Sequence, residues 1–255
     1  MGGLEPAALA SLLGRRGRSG GRILVFDTVD STQDEAERWV AAGNPGCALV
    51  LARVQRAGRG RLGRSWHSPA GGVYATLVLR PSQPPDRWPA MTVAAGLALA
   101  EALDDAGVPG VALKWPNDCL VRGRKLAGIL AQALPDAGAV LVGVGINGTL
   151  DPAALPPELA DRVEALDRVL PAGVAADATC ADALERIAAA CGAAGDGIPL
   201  DPGRVARFLA IGRMVDVAGR RGRVRGVAPR GALVLAIGDE DVEVDVGEVC
   251  DAGGD

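Results

Sequence analysis

Seven short apolar runs, each bounded by glycine, proline or other turn-forming residues, occupy the chain between residues 23 and 146. Between them lie two longer segments with apolar residues at helical spacing, one capped by Ser31 and ending near Gly43, the other covering 90–106. Strand-length runs separated by helices predict a fold of mixed α and β structure. The predicted strands are 23–26, 48–54, 73–79, 111–114, 119–121, 126–133 and 140–146.

The two ends of the chain follow other patterns. Alanine- and leucine-rich spacing over 4–13 predicts a short N-terminal helix, and apolar spacing over 158–169 and 177–194 predicts two further helices. Four short alternating runs then follow, separated by Gly/Arg and Gly/Asp turns, and their spacing predicts a small antiparallel barrel. These runs are 215–217, 224–227, 233–237 and 242–246. We therefore expect two domains, 1–210 and 211–255.

Composition excludes several classes of protein. With 255 residues, 49% hydrophobic and 23% charged, the chain has the balance of a globular protein and not of a disordered one. Its longest weakly polar run, 91–103, contains Glu101 and is shorter than the roughly 20 apolar residues that span a bilayer. The first residues lack the basic start and apolar block of a signal peptide. We expect a soluble, cytoplasmic protein with no membrane partner.

Cysteine and histidine usage limits the metal chemistry. The five cysteines are an odd number and no two of them form a CxxC pair, so neither a disulfide framework nor a thiolate zinc site is predicted. His67 is the one histidine, which excludes a centre built from several histidines. A metal would have to be bound by carboxylates or by a phosphate ligand.

Lysine is rare in this chain. Of 27 basic residues only Lys114 and Lys125 are lysines, and the other 25 are arginines. Where codon bias replaces lysine by arginine at every position that needs only a positive charge, the remaining lysines mark positions that need a compact ammonium. Both lysines are therefore candidate functional residues.

A segment over 53–66 interleaves five arginines with three glycines and ends in Trp66. Glycines let the backbone fold closely around an anion, and arginines bind phosphate or carboxylate through two parallel hydrogen bonds. A solvated basic loop or a nucleic-acid contact is the alternative, although a net charge of −4 and 3% aromatic residues disfavour nucleic acid. The GxGxxG matches at 58–63 and 143–148 do not lead into helices, so they predict no dinucleotide site.

A second cluster of charged and polar residues suited to a functional site is Lys114-Trp115-Pro116-Asn117-Asp118, followed closely by Lys125. Pro116 interrupts a strand and turns the amide and the carboxylate out of the ladder. An ammonium, a carboxylate able to hold Mg²⁺ and an amide able to contact a base edge thus share one bend. Taken alone, such a cluster is equally typical of a structural turn.

Four blocks together resemble the biotin protein ligases, in the order found in that family. They are Asp30-Ser31-Thr32; Gln55 with Gly58-Arg59-Gly60-Arg61 and Gly63-Arg64-Ser65-Trp66; 114–118 with 124–130; and Gly143-Val144-Gly145-Ile146-Asn147. The similarity is strong over about 23–150. In the C-terminal runs only the predicted kind of structure, a small barrel, is similar. It implies an α+β fold: a mixed β-sheet flanked by helices, like the catalytic domain of class II aminoacyl-tRNA synthetases, followed by a small SH3-like β-barrel.

The resemblance implies a two-step reaction. The carboxylate of biotin attacks the α-phosphate of ATP, giving biotinyl-5′-AMP and pyrophosphate, with Mg²⁺ as cofactor. A lysine of a biotin carboxyl carrier protein, or of the carrier domain of an acyl-CoA carboxylase, then accepts the biotinyl group.

The resemblance also implies roles for individual residues. Lys125 and Arg61 are the implied catalytic residues, with Lys125 between the biotin carboxyl and the α-phosphate, and Asp118 is the implied metal ligand. The implied biotin-binding residues are Ser31, Thr32, Gln33, Gln55, Gly58, Arg59, Gly60, Arg61 and Lys125. The implied ATP-binding residues are Arg61, Arg64, Trp66, Lys114, Asn117 and Asn147.

Two other functions stay open at this stage. A lipoate or octanoate ligase or transferase is one, although the Gly/Arg loop and the 114–118 block disfavour it; a nucleic-acid-binding module is the other. Arg56 and Leu62 stand where relatives often carry other polar or basic residues. About twenty residues precede the first strand, too few for a winged helix-turn-helix, so we expect a ligase that does not bind DNA.

Overall fold

The computed structural model describes residues 4–16, 21–149 and 161–251. In this part of the chain six helices accompany two β-sheets. The helices are α1 (Pro6–Arg16), α2 (Thr32–Ala41), α3 (Ala90–Asp105), α4 (Leu166–Val169), α5 (Ala176–Gly195) and α6 (Pro202–Phe208). None of them combines the length and the apolar character that a bilayer-spanning helix requires.

The first sheet has seven strands in the order β1-β2-β3-β7-β6-β5-β4. Only the β1–β2 pair is parallel, so the predicted mixed sheet is confirmed. Its strands are β1 (Arg22–Val29), β2 (Ala48–Gln55), β3 (Val73–Leu79), β4 (Val111–Lys114), β5 (Asp118–Val121), β6 (Arg124–Leu134) and β7 (Ala139–Ile146). Every predicted strand of this sheet is present, with ends that differ by at most three residues.

Helices cover both faces of this sheet. Ala36 and Val40 of α2 pack on one face, against a cluster that includes Val78 and Leu141. On the other face α3 is buried at twelve of its sixteen residues, because it lies between the sheet and α5. Strand β3 is buried along its whole length, as expected for a central strand covered on both sides.

A second sheet is formed by the strands after α6, in the order β11-β10-β9-β8-β12, all antiparallel. These strands are β8 (Met214–Val217), β9 (Arg220–Val227), β10 (Leu233–Ile237), β11 (Glu240–Val244) and β12 (Val249–Asp251). Among the described residues the outer strands β11 and β12 do not pair, so the antiparallel sheet is confirmed and closure into a barrel is not. The boundary at 210 stays a prediction.

One predicted helix is largely replaced by other structure. Residues 158–160 of the predicted helix 158–169 lie outside the described residues, and in the remainder only Leu166–Val169 is helical. Val163 instead forms a parallel bridge with Lys125 of β6. The prediction failed because these residues satisfy their hydrogen bonds with a distant strand and not with one another.

Candidate active site

A pocket lies on the first sheet, where the start of α2, the loop after β2 and the middle of β6 and β7 meet. It brings together ten of the fifteen predicted site residues: Ser31, Thr32, Gln33, Gln55, Arg59, Gly60, Arg61, Trp66, Asn117 and Lys125. The rest of its lining was not predicted: Ala75, Gly128, Ile129, Leu130, Gly143, Val144 and Gly145.

Hydrogen bonds among Thr32, Gln55 and Ser68 build a neutral polar end of this pocket. Gln55 Oε1 accepts from the backbone N–H of Thr32 at 2.8 Å and from its hydroxyl at 3.0 Å. Because a backbone N–H can only donate, this contact fixes which end of the Gln55 amide faces α2. Gln55 Nε2 donates to Ser68 Oγ at 2.8 Å, which leaves the amide one further hydrogen to donate.

Ser31 and Gln33 are placed by the start of α2. The Ser31 hydroxyl oxygen caps the helix by accepting from the backbone N–H of Gln33 at 3.2 Å. The Gln33 side chain extends over the sheet into a gap at Gly143, where an added Cβ would lie 2.7 Å from Gln33 Oε1. Both side chains are buried, so the helix start presents them to the pocket in fixed positions.

Two glycines paired across β6 and β7, Gly128 and Gly145, lie directly under the indole of Trp66. An added Cβ would lie 2.9 Å from the ring at Gly128 and 2.6 Å from it at Gly145. Only a residue without a side chain lets the indole approach the sheet this closely. Trp66 Nε1 is buried and has no hydrogen-bond partner among the described residues, so a bound molecule could supply the acceptor.

Both backbone polar groups of Lys125 are hydrogen-bonded to segments outside its own strand. Its N–H donates to Arg162 O at 2.9 Å, and its carbonyl accepts from Glu164 N at 2.9 Å and from Asn147 Nδ2 at 3.0 Å. Asn147 donates its other amide hydrogen to Glu164 O at 3.1 Å. Two separate segments, 162–164 and Asn147 directly after β7, thus fix the point from which the Lys125 side chain extends.

The Lys125 ammonium lies beside a carboxylate and an aromatic ring. Nζ is 2.7 Å from Asp118 Oδ1 and 5.2 Å from the centre of the Trp66 ring. The ion pair and the cation–π contact both orient the ammonium. A positive charge is therefore held at the Gly128–Gly145 position of the sheet, while the polar end lies one strand repeat away, beside the Leu130–Gly143 pair.

The arginines of the loop after β2 contact three different parts of the molecule. Arg59 forms an ion pair with Asp34 of α2. Arg61 Nη1 donates to Asn117 Oδ1 at 3.1 Å and reaches Gly247 O, between β11 and β12, at 3.5 Å. The loop thus connects α2, the 114–118 bend and the second sheet.

Arg64 adds a second contact to the same part of the second sheet. Its Nη1 lies 2.5 Å from Glu248 Oε1. The hydrogen bond from Arg64 lowers the pKa of the Glu248 carboxyl below its ordinary value, and the charges of Lys114 and Arg61 act in the same direction. Lys114 itself lies at the exposed end of β4, outside the pocket lining.

Five predicted residues do not line the pocket: Gly58, Arg64, Lys114, Asp118 and Asn147. Gly58 supports the loop from behind, because a Cβ there would lie 2.4 Å from Trp66 O and 2.6 Å from Ser68 Oγ. Asn147 uses both amide hydrogens on backbone carbonyls and has none left for a ligand. Its predicted contact with ATP stays a prediction.

Three glycines of the sheet, Gly128, Gly143 and Gly145, form the floor of the pocket. They were not among the predicted site residues, although the sequence carried a signal for two of them. Gly143 and Gly145 alternate along a strand, which places both on one face of the sheet. Their GxGxxG match was rejected as a dinucleotide site, and the alternation along the strand was not considered. Because these glycines have no side chains, this face of the sheet leaves room for planar groups, namely the Gln33 amide at Gly143 and the Trp66 indole at Gly145.

The fold is similar to that of solved ligase structures, and residues 25–147 match the biotin/lipoate A/B protein ligase family. A biotin–acetyl-CoA-carboxylase ligase of Paracoccus denitrificans is 43% identical over 163 residues, which cover 56% of this chain and 68% of that protein. The chain belongs to the biotin/lipoate A/B protein ligase family.

Within the family, similar proteins include ligases named for biotin and a bifunctional ligase/repressor. The bifunctional ligase/repressor BirA of Bacillus subtilis is 36% identical over 153 residues, covering 58% of this chain and 47% of that protein. The chain thus spans about half the length of this relative. The solved structure of a biotin protein ligase from Aquifex aeolicus in complex with biotin and ATP aligns with a TM-score of 0.74 and 27% identity, covering 90% of this chain and 97% of that one.

Proposed function

We propose that this protein is a biotin protein ligase that forms biotinyl-5′-AMP from biotin and ATP and transfers the biotinyl group to a lysine of a biotin carboxyl carrier domain. One observation carries the proposal: a single pocket holds a neutral hydrogen-bonding end at Thr32 and Gln55 and, one strand repeat away, the Lys125 ammonium. Biotin has a neutral ureido group at one end and a carboxylate at the other. The names of the relatives support the same substrate.

In the first step a carboxylate oxygen of biotin attacks the α-phosphorus, and the bond from that phosphorus to the pyrophosphate oxygen breaks. Lys125 stabilises the negative charge that develops on the two reacting groups, because its ammonium is already oriented by Asp118 and Trp66. Arg61 binds the α-phosphate, and Trp66 and Asn117 contact the adenine. In the second step the acceptor amine attacks the acyl carbon, AMP leaves and the amine loses a proton.

Mg²⁺ enters the proposal as an ion bound to the ATP phosphates. Among the described residues no three His, Cys, Asp or Glu side chains are grouped to hold a metal. Asp118, the predicted ligand, already contacts Lys125 at 2.7 Å, so a cation there would compete with the ion pair. Asp118 is the carboxylate that we propose for this ion, and the phosphates and water would complete the coordination.

Biotin-dependent exchange of labelled pyrophosphate into ATP tests the adenylation step. We expect exchange with biotin and none with lipoate or octanoate at equal concentration. Transfer is then tested with an isolated carrier domain and with its Lys→Arg variant at the acceptor position. Absence of exchange at saturating biotin and ATP, in a protein that is folded by circular dichroism, would overturn the proposal.

Lipoate or octanoate transfer is the second candidate, since the family includes those ligases. The polar end of the pocket disfavours it. A dithiolane or a plain alkyl chain would leave the remaining hydrogen of Gln55 Nε2 without a partner and would place an apolar group against Thr32 Oγ1, and a site built for hydrogen bonds discriminates strongly against such ligands. Nucleic-acid binding is disfavoured because Arg59 and Arg64 are already paired with Asp34 and Glu248.

A further inference from the structure

A buried hydroxyl lies behind the polar end of the pocket. Thr76, in the middle of β3, is 0% exposed and does not line the pocket. Its single hydroxyl hydrogen is shared between two acceptors, Thr32 Oγ1 at 2.9 Å and Gln33 Oε1 at 3.2 Å. Valine has nearly the same shape and would fill this position in a strand equally well. Packing alone therefore does not require the hydroxyl.

The hydrogen bond from Thr76 continues through the polar end in one direction. The Thr32 hydroxyl donates to Gln55 Oε1, and Gln55 Nε2 donates to Ser68 Oγ. Ser68 in turn donates to Trp66 O at 3.0 Å. Every hydroxyl hydrogen in this chain of contacts is used inside the protein.

This direction decides what the pocket can recognise. Because the Thr32 hydrogen is taken by Gln55, Thr32 Oγ1 can meet a ligand only as an acceptor. We propose that Thr76 is a positioning residue that holds Thr32 Oγ1 in this acceptor role, so that the site selects a ligand carrying an N–H at that point. The inference rests on the proposed function, in which the N–H belongs to the ureido group of biotin.

Thr76 also positions the neighbouring glutamine. It pairs across the sheet with Gly143, the residue whose missing side chain makes room for Gln33 Oε1. The hydroxyl on one strand and the gap on the next thus fix the Gln33 amide from two sides. The positions of the Thr32 and Gln33 side chains therefore both depend on Thr76, although Thr76 is 44 and 43 residues away from them in the sequence.

The test compares Thr76→Val, which removes the hydroxyl, with Thr76→Ser, which keeps it. In Thr76→Val we expect the Kd for biotin to rise about tenfold, the loss typical of one buried hydrogen bond, with an equal rise in the KM for biotin. The KM for ATP and the kcat at saturating biotin stay unchanged, and Thr76→Ser restores biotin binding. Thr179→Val is the matched control, since Thr179 is a buried threonine on α5 whose hydroxyl donates to Ala175 O.

A second readout separates positioning from stability. Two biotin analogues, each with one ureido N–H replaced by CH₂, are titrated into the wild type and the Thr76 variants. We expect the wild type to reject one analogue strongly and Thr76→Val to lose about tenfold of that discrimination. Equal biotin affinity in wild type and Thr76→Val, or undiminished discrimination, would overturn the inference. A wild type that does not bind biotin would instead overturn the proposed function.

Discussion

Lys125 Nζ lies 2.7 Å from Asp118 Oδ1, and this ion pair points the ammonium toward the Gly128–Gly145 position of the pocket floor. The backbone of Lys125 is fixed independently by Arg162 and Glu164. A side chain held both at its base and at its tip is preorganised, which is what charge stabilisation in a transition state requires.

Replacing Lys125 by arginine tests that requirement. The planar guanidinium cannot occupy the position of the ammonium, so we expect the rate of adenylate formation to fall about 10²- to 10³-fold while biotin affinity changes far less. Single-turnover adenylation and biotin titration measure the two effects. Asp118→Asn keeps the ammonium and loses only its partner, so its loss should be smaller. Adenylation at the wild-type rate in Lys125→Arg would remove Lys125 from the catalytic role.

Gly145→Ala tests the floor under Trp66. The added methyl group would lie 2.6 Å from the indole and displace it, so we expect the KM for ATP to rise about tenfold, with a destabilisation of roughly 1–3 kcal/mol from overpacking. Gly226→Ala, in β9, is the matched control because nothing lies within 4 Å of its Cβ position. A normal KM for ATP in Gly145→Ala would show that Trp66 does not contact the nucleotide.

Arg61→Ala tests retention of the intermediate. Arg61 is held by Asn117 Oδ1 and Gly247 O, and the proposed function assigns it to the α-phosphate. A hydrogen bond to a charged group contributes roughly 1.5–3 kcal/mol, so we expect biotinyl-5′-AMP to dissociate about ten to a hundred times faster. Rapid dilution with trapping of the released adenylate measures the rate. An unchanged rate would contradict the role given to Arg61.

The local pattern of the sequence was enough to predict the strands of the first sheet, because each strand depends on residues close together in the chain. The ten pocket residues were instead implied by the resemblance of four motif blocks to the biotin protein ligases. The local pattern could not predict the role of Thr76, because in the sequence Thr76 looks like any core residue of an apolar strand. Asn147 was predicted to bind a ligand, but its side-chain amide donates hydrogen bonds to the backbone carbonyls of Lys125 and Glu164, 22 and 17 residues away. The helix predicted over 158–169 was wrong at residues 161–165 for the same reason, because these residues bond to Lys125 of β6. Hydrogen bonds between distant segments leave no periodic signal.

The ion pair between Arg64 and Glu248 gives a pH-dependent prediction. Because Arg64 lowers the pKa of Glu248 in the folded protein, the pair contributes above the ordinary value of 4.5 and is lost as the pH falls through the lowered pKa. Arg64→Ala, Glu248→Ala and the double variant measure the coupling by urea unfolding. We expect a small coupling, since the side chains are 62% and 39% exposed, constant from pH 8 to 5 and absent well below 4.5. A coupling that grows in acid would contradict it.

The proposed domain boundary is tested by ending the chain after Ile211. The first sheet, α3 and α5 are complete without the second sheet, so we expect the shortened chain to fold and to bind biotin. It would lose the contacts of Arg61 and Arg64 with residues 247 and 248, and biotinyl-5′-AMP would dissociate faster than from the full chain.

The same truncation should lower stability, because the two sheets share buried contacts. Trp115 Nε1 donates to Gly231 O at 2.9 Å, and the backbone of Gly231 packs directly on Ala90, where an added Cβ would lie 2.9 Å from the Ala90 backbone. In the full chain, Trp115→Phe removes that hydrogen bond and replaces the indole by a smaller aromatic ring, and the unpaired carbonyl should cost roughly 1–3 kcal/mol. Thermal unfolding compares the three proteins. If the shortened chain is unfolded while Trp115→Phe is nearly as stable as the wild type, the second sheet is part of one folding unit and the boundary near 211 is wrong.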